Sequence, residues 1–209
     1  MKNAMRIVIA RHMETVDNRR GIILGRQDSP PVESALKHSR QMAALMAYPG
    51  TGLVVSSPLG RAVSTAGIFS TTLNWEMGIM ENFTELSCGK WEGLPRLSVL
   101  QPGRPLRRTW HERPGDGESC QSASHRVAEG IRRLKSLDYD TILIVGHAAV
   151  NQVFLRVWLS LTTAEALTIQ HPHDLLYQVD PPSDRLSGDW HVSWTHRSGA
   201  AGEGLWLRK

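Results

Sequence analysis

Three short apolar runs rich in β-branched residues constrain the fold of this chain more than any other feature. They are Arg6–Ala10 (RIVIA), Gly52–Ser56 (GLVVS) and Thr141–Val145 (TILIV), and each has the length and composition of a buried strand. Segments in which apolar residues recur with helical spacing separate them. Strands that alternate with helices predict an α/β protein with a mostly parallel central sheet.

The intervening helices are expected at residues 34–47, from Ser57 to about Thr71, at Gln121–Leu137 and at Val150–Leu161. Ser57 is predicted as the N-cap of the second helix, with Pro58 in its first turn. Later strands are expected at Leu175–Val179 and Trp190–Trp194.

Two segments depart from this alternation. Residues from about 94 to 117 carry four prolines and little periodicity, so we interpret them as a small lid inserted in a single domain of residues 1–209. The tail from about residue 198 contains three glycines within seven residues and is expected to be poorly ordered.

The composition narrows the class of protein. Of the 209 residues, 41% are hydrophobic and 21% are charged, which is typical of a globular domain. No apolar run approaches the roughly 20 residues of a membrane span, and Ile7–Ala10 is too short for a signal-peptide core, so we expect a cytoplasmic protein. Cys88 and Cys120 have no metal-ligand spacing, and no nucleic-acid motif is present.

Basic residues follow all three strands directly. Arg11-His12 follows the first strand, Ser56–Arg61 follows the second, and Gly146-His147 follows the third. Ligands of open α/β sheets bind beyond the carboxyl ends of the strands. Because the arginine guanidinium matches phosphate oxygens in a bidentate way, Arg11 and Arg61 predict a phosphate-binding pocket there.

The same residues predict a reaction. A neutral histidine can attack phosphorus, which makes His12 a candidate nucleophile, and His147, if protonated, is a candidate to stabilise charge on the phosphoryl oxygens. Ala148 follows at a predicted helix start, so its N–H is a candidate donor to the same oxygens. Glu85 is the candidate acid and base for the leaving group and for water.

Six segments, in order, resemble one family. Arg11–Thr15 (RHMET) resembles the RHGET signature of the histidine phosphatase superfamily (branch 1), which has the phosphoglycerate mutase-like fold. Further segments of this sequence resemble its other motifs: Gly25–Pro30 (GRQDSP), Ser56–Ala66 (SSPLGRAVSTA), Thr84–Gly93 (TELSCGKWEG), Pro114–Ser119 (PGDGES) and Val145–Val150 (VGHAAV). Each motif alone is weak, but the ordered set, which spans about residues 6 to 155, is highly specific.

The resemblance implies a three-layer α/β/α sandwich that works without a metal or other cofactor. It implies His12 as nucleophile and Glu85 as acid and base, with the phosphoryl group held by Arg11, Asn18, Arg61 and His147. The family's glycines are replaced here by Met13 after His12 and by Ala148 and Ala149 after His147. We expect these changes to alter the mouth of the pocket, and Met13 and Arg26 to contribute to substrate specificity.

Two clusters allow other interpretations. His171-Pro172-His173-Asp174 has alternate histidines but no third ligand at metal spacing, so we interpret it as a solvated loop. The arginines of the lid either form a solvated face or bind a second anionic group of the substrate; they are Arg104, Arg107, Arg108 and Arg113.

Three functions remain open from the sequence. The first is a phosphomonoesterase that acts on a small phosphorylated metabolite through a phosphohistidine. The second is phosphoryl transfer of the phosphoglycerate mutase type, although the segment after Glu85 reads CGKWEG rather than the RHYG of such mutases. The third is a non-catalytic module that binds phospho-ligands. The expected partner is a small phosphate ester, not a nucleic acid or a membrane, and a homodimer is left open.

Overall fold

A sheet of seven strands organises this computed structural model, which describes residues 5–46, 48, 50–182 and 190–208. The strands are β1 (Arg6–Arg11), β2 (Gly52–Ser56), β3 (Glu76–Ile79), β4 (Thr141–Gly146), β5 (Leu175–Asp180), β6 (His191–His196) and β7 (Ala201–Glu203). Their order across the sheet is β3-β2-β4-β1-β5-β6-β7. The first four strands are mutually parallel, whereas β5, β6 and β7 pair in antiparallel fashion, so the predicted parallel centre is confirmed.

Helices cover both faces of this sheet. They are α1 (Val16–Arg19), α2 (Ala35–Ala44), α3 (Gly60–Leu73), α4 (Arg96–Val99), α5 (Cys120–Ser136), α6 (Ala148–Leu159) and α7 (Thr163–Thr168). Ile7 and Ile9 of β1 belong to the core beneath α5 and α6, while Val8 and Ala10 belong to the core beneath α2 and α3. Because successive side chains of a strand point to opposite faces, this alternation produces the predicted three-layer sandwich. None of the helices in the described ranges is long and apolar enough to traverse a bilayer.

The start of α3 differs from the prediction. The helix begins at Gly60 with Leu59 as its N-cap, so the assignment of Ser57 as N-cap is wrong. The reason is a carboxylate distant in sequence: Asp28 accepts hydrogen bonds from the N–H groups of Gly60 (2.7 Å) and Arg61 (3.2 Å). A carboxylate at a helix N-terminus satisfies free N–H donors and complements the helix dipole.

The tail from residue 198 also differs from the expectation of poor order. Its strand β7 pairs with β6, and the Trp206 ring lies 4.5 Å from that of Trp194 at an angle of 88°. The Trp206 carbonyl accepts from Gln170 N, and Arg208 N donates to the Thr168 carbonyl. Aromatic packing and backbone pairing therefore hold a segment whose glycine content had indicated flexibility.

The predicted lid folds back over the carboxyl edge of the sheet. Trp110 anchors it with a side chain only 2% exposed. Its far end turns at Gly115, whose φ of +56° lies in the left-handed region. A Cβ on Gly115 would lie 2.2 Å from the carbonyl oxygen of Cys88, so glycine is required both by φ and by close backbone approach. This contact joins the lid to the segment that carries Glu85.

We therefore expect Gly115→Ala to destabilise the protein more than Gly103→Ala. Gly103 also has a positive φ (+76°), but a Cβ there would meet no atom within 4 Å, so that variant measures backbone strain alone, about 1–2 kcal/mol. Gly115→Ala adds the clash with Cys88. Urea unfolding of both variants measures the difference, and equal losses would contradict the close contact.

Candidate active site

The parallel pairing of β1 with β4 brings the two strand-end motifs together. Arg11 is opposite Gly146 in the register, and the N–H of His12 donates to the Gly146 carbonyl at 2.9 Å. The next residues, His12 and His147, therefore leave the sheet side by side, with ring centroids 4.9 Å apart.

His12 is held as one tautomer. Its Nδ1 lies 2.7 Å from the carbonyl oxygen of Met13, an acceptor only, so Nδ1 carries the proton. Its Nε2 consequently has a free lone pair, to which Arg61 Nε donates at 3.2 Å. The side chain is 3% exposed. The ring is thus fixed with its unprotonated Nε2 facing the guanidinium of Arg61.

Burial and positive charge keep both histidines neutral. Desolvation lowers the pKa of His12 well below its ordinary value, and the neighbouring His147 and Arg11 lower it further. Desolvation, followed by repulsion from Arg61 and Arg11, lowers the pKa of His147 in the same way. A neutral imidazole is the form that can attack phosphorus.

Arg61 is buried in the first turn of α3 and is held mainly by backbone. Its Nη2 donates to the carbonyl of Gly25 at 2.8 Å, and its Nη1 donates to the carbonyl of Gln27 and to Asp28 Oδ1 at 3.0 Å. Asp28 therefore orients this arginine twice, through the guanidinium and through the backbone N–H.

Arg11 has fewer partners. Its Nη1 donates to the carbonyl of His171 at 3.1 Å, and its Nε is buried without a partner among the described residues. Desolvation lowers the pKa of Arg11 to about 10, while Glu85 opposes that shift and Arg61 adds to it. The side chain therefore stays positive at neutral pH and has donor capacity to spare.

His147, a predicted ligand of the phosphoryl group, is not among the residues that line the cavity next to His12. It is fully buried, its Nε2 is 2.8 Å from Ser57 Oγ, and its Nδ1 has no partner within the ranges that the structure covers. Ser57 Oγ also accepts from Leu59 N at 3.4 Å, so its own proton is available to His147. Ser57, interpreted as a helix cap from sequence, is instead the partner of the second histidine.

Glu85 occupies the N-terminus of α6. Its Oε1 accepts from Leu86 N (2.9 Å) and Val150 N (3.1 Å), and its Oε2 accepts from Ala149 N at 3.4 Å. These three N–H donors fix the orientation of the Glu85 carboxyl group. Glu92, its neighbour in sequence, instead accepts from Ser87 and Cys88.

These residues border a cavity of about 380 Å³ at the carboxyl edge of the sheet. Arg11, His12 and Arg61 line its interior, and Asn18, Glu85 and Ala148 line its wall. Asn18 Oδ1 is engaged by Thr15 through its backbone N–H (3.3 Å) and its hydroxyl (2.9 Å). The amide NH₂ of Asn18 is thereby left as the group that can donate to a ligand.

Two predicted specificity residues lie elsewhere. The Met13 side chain packs with Val32 and Ala35 on the opposite side of the β1 strand end and does not line the cavity. Its backbone N–H donates to Thr65 Oγ1, which turns the side chain away. Arg26 is absent from the lining as well, since its guanidinium donates to the Glu85 carbonyl (3.2 Å) and to Glu118 (3.3 Å).

The histidines at 171 and 173 are not in a solvated loop, so that interpretation is wrong. His171 is 4% exposed, and its Nδ1 accepts from Asn151 Nδ2 at 3.0 Å. His173 Nδ1 donates to the carbonyl of His12 at 2.6 Å, and its ring lies 5.0 Å from the ring of His12. Both were missed because their position depends on the direction of β5, which begins at the edge where β1 ends.

The lid arginines divide into two groups. Arg107 is 9% exposed and lines the cavity, whereas Arg104 and Arg108 lie within 4 Å of Glu112 carboxylate oxygens outside it. Arg113 donates to the Gly117 carbonyl at 2.7 Å, also outside the cavity. No group of three or more metal-ligating side chains occurs in the part of the chain that the structure describes.

The sequence profile of the histidine phosphatase superfamily (branch 1) matches residues 7–189. The chain belongs to this superfamily. An adenosylcobalamin/alpha-ribazole phosphatase of Escherichia coli is 28% identical over 152 residues, which cover 70% of this chain and 75% of that protein. Phosphoserine phosphatase 1 of Hydrogenobacter thermophilus is 25% identical over 149 residues, which cover 68% and 71%.

Solved structures agree on the fold. A mycobacterial glucosyl-3-phosphoglycerate phosphatase in complex with VO3 superposes with a TM-score of 0.78 at 21% identity, over 99% of this chain and 100% of that one. The named substrates of these phosphatases differ from one another. Membership in the superfamily therefore supports phosphatase activity for this chain without indicating its substrate.

The buried histidines make stability depend on pH. Desolvation lowers the pKa of His171 and His173 to about 3, from 6.5 for an exposed histidine. Between pH 6.5 and 3 the unfolded chain therefore binds protons that the folded chain does not. Each such group makes the free energy of unfolding fall by up to about 1.4 kcal/mol per pH unit as the pH drops.

We expect the urea midpoint to fall steeply from pH 6.5 to 4.5. His173→Gln should reduce the slope of stability against pH by about one proton, whereas the matched change at exposed His125 should leave it unaltered. Identical slopes in the two variants would show that His173 is not held neutral.

Proposed function

We propose that this protein is a phosphomonoesterase that hydrolyses a small phosphorylated metabolite through a phosphohistidine on His12. The observation that carries the proposal is the His12 ring itself: the Met13 carbonyl fixes its proton on Nδ1, so the unprotonated Nε2 faces Arg61 Nε at 3.2 Å, and Arg11 and Arg61 line the same cavity. An unprotonated nitrogen beside donors for a dianion is what phosphoryl transfer through a histidine requires.

In the first step, His12 Nε2 attacks phosphorus, and the bond between phosphorus and the ester oxygen breaks. Arg11 and Arg61 donate to the phosphoryl oxygens, with the Asn18 amide and the Ala148 N–H as further donors. His147 is proposed as a further donor through its Nδ1, which is buried without a partner among the described residues. Fixed donors of this kind stabilise the charge that develops in the transition state.

Glu85 supplies the proton. Its acid form donates to the leaving oxygen, and the resulting carboxylate then accepts a proton from water as that water attacks the phosphohistidine and releases phosphate. The three N–H groups around its carboxylate hold it at the cavity wall, so the same side chain serves both halves.

The proposal includes metal independence. The arginines at positions 11 and 61 supply the positive charge that a metal ion provides in other phosphatases. A chelator should therefore leave the rate unchanged. We also propose that the protein acts in the cytoplasm.

Replacing the nucleophile tests the reaction. We expect His12→Asn to lower kcat for p-nitrophenyl phosphate, with EDTA present, by at least about 10³-fold, because the variant lacks the nitrogen that forms the proposed intermediate. Acid-labile ³²P should label the wild-type chain and not the variant. Wild-type rates in His12→Asn would refute the mechanism. With 3-phosphoglycerate as substrate, isomerisation by the wild type without release of phosphate would favour the mutase alternative.

Replacing the proton carrier separates the two half-reactions. Glu85→Gln should reduce kcat by about 10²–10⁴-fold for an alkyl phosphate, whose leaving group needs a proton. With p-nitrophenyl phosphate the first step should suffer less, so that phosphorylated protein accumulates. Glu81→Gln, an exposed neighbour, is the matched control. Equal effects of the two variants on both substrates would reject Glu85 as the acid.

A further inference from the structure

We propose that Arg96, Arg107 and Arg208 form a second anion subsite in the same cavity, and that the substrate carries a carboxylate or a second phosphate. This inference rests on the proposed phosphatase function and specifies its substrate class. The three arginines come from α4, from the lid and from the C-terminal tail, and all three line the cavity that contains His12.

The guanidinium group of Arg107 is oriented by backbone carbonyls. Its Nη2 donates to the carbonyl of Glu118 at 3.1 Å and to that of Ser87 at 3.5 Å. Its Nε is buried and has no partner in the described part of the chain. Carbonyl oxygens orient a guanidinium without neutralising it, so Arg107 retains its charge and a free donor.

Arg96 and Arg208 lie close enough to repel each other. Arg96 Nη2 donates to the carbonyl of Arg104, again not to a carboxylate. Burial lowers the pKa of Arg96, and the charge of Arg208 lowers it further. The backbone of Arg208 is tied to α7 through the Thr168 carbonyl at 2.7 Å, which keeps this exposed side chain at the cavity mouth.

Charge within the cavity is unbalanced. Five arginines line it, but Glu85 is the single acidic side chain in the lining. Within the described ranges, none of the three outer arginines (Arg96, Arg107 and Arg208) has a carboxylate oxygen within 4.0 Å, whereas some arginines outside the cavity do, among them Arg108 with Glu112 and Arg126 with Glu118. A phosphoryl dianion at His12 would face Arg11 and Arg61, of which Arg61 already pairs with Asp28 at 3.0 Å, whereas the outer three have no carboxylate partner of their own among the described residues.

The guanidinium groups of Arg96 and Arg107 have hydrogen-bond partners similar to those of Arg11 and Arg61, the arginines next to His12. Arg11 also donates to a backbone carbonyl and keeps its Nε without a partner among the described residues, and Arg61 donates to the carbonyls of Gly25 and Gln27 as well as to Asp28. The shared arrangement indicates that both sets bind anions, the inner set a phosphoryl group and the outer set the second charge of the same molecule.

Paired substrates test the subsite. 3-Phosphoglycerate and glycerol 3-phosphate differ by one carboxylate, and fructose 1,6-bisphosphate and fructose 6-phosphate differ by one phosphate. We expect the more anionic member of at least one pair to have the higher kcat/KM, by about tenfold, mainly through KM. The pair that shows the preference distinguishes a carboxylate from a second phosphate.

Variants assign that preference to residues. Arg208→Gln and Arg96→Gln should raise KM for the more anionic substrate by about tenfold and bring the ratio within the pair towards one. Arg208 is exposed, so its replacement carries little risk to folding. Arg108→Gln, which removes an exposed lid arginine outside the cavity, is the control and should leave both KM values unchanged.

The outcomes separate this inference from the proposed function. No discrimination within either pair, or an unchanged ratio in Arg208→Gln and Arg96→Gln, would overturn the second subsite while hydrolysis of p-nitrophenyl phosphate upheld the phosphatase. Without hydrolysis of any ester, calorimetric titration of both pairs still decides the subsite: tighter binding of the more anionic member, lost in Arg208→Gln, supports it, and equal binding refutes it.

Discussion

The parallel pairing of β1 with β4 is the contact on which the candidate site depends. With Arg11 opposite Gly146, the residues that follow each strand leave the sheet at the same height, and the rings of His12 and His147 come within 4.9 Å. A shift of the pairing by one residue would exchange the buried faces of the strand and separate the two rings. The two hydrophobic cores that flank the sheet therefore also determine the catalytic geometry.

Positive charge concentrated at this edge explains the remaining chemistry. Arg11 and Arg61 are anchored largely by carbonyl oxygens, so their charges persist in a poorly solvated place. Burial, together with that field, lowers the pKa of His12 and holds the ring in the neutral form that the proposed attack on phosphorus requires. A dianionic ligand would relieve the repulsion between the arginines, so binding and activation of the nucleophile follow from one electrostatic arrangement.

Local patterns in the sequence predicted the parts of the site that follow a strand directly. Arg11, His12 and His147 stand next to recognisable strands, and the direction of a parallel strand places them at one edge. The sequence did not predict the positions of Asp28, His171 and His173. These positions depend on long-range information, namely the path of a loop or the direction of β5. The strand β3 was missed as well, since its half-exposed residues (EMGI) lack a clear apolar alternation.

Asn151 of α6 connects strand β1 to the segment that precedes β5. Its amide NH₂ donates both to the Ala10 carbonyl (3.1 Å) and to His171 Nδ1 (3.0 Å), which obliges His171 to donate from Nε2 to the Leu175 carbonyl. Protonation of His171 would place two donors face to face, which agrees with its lowered pKa. Because the carbonyl of His171 in turn accepts from Arg11 at 3.1 Å, this hydrogen-bonded chain connects a buried ring to the arginine that is proposed to bind phosphate.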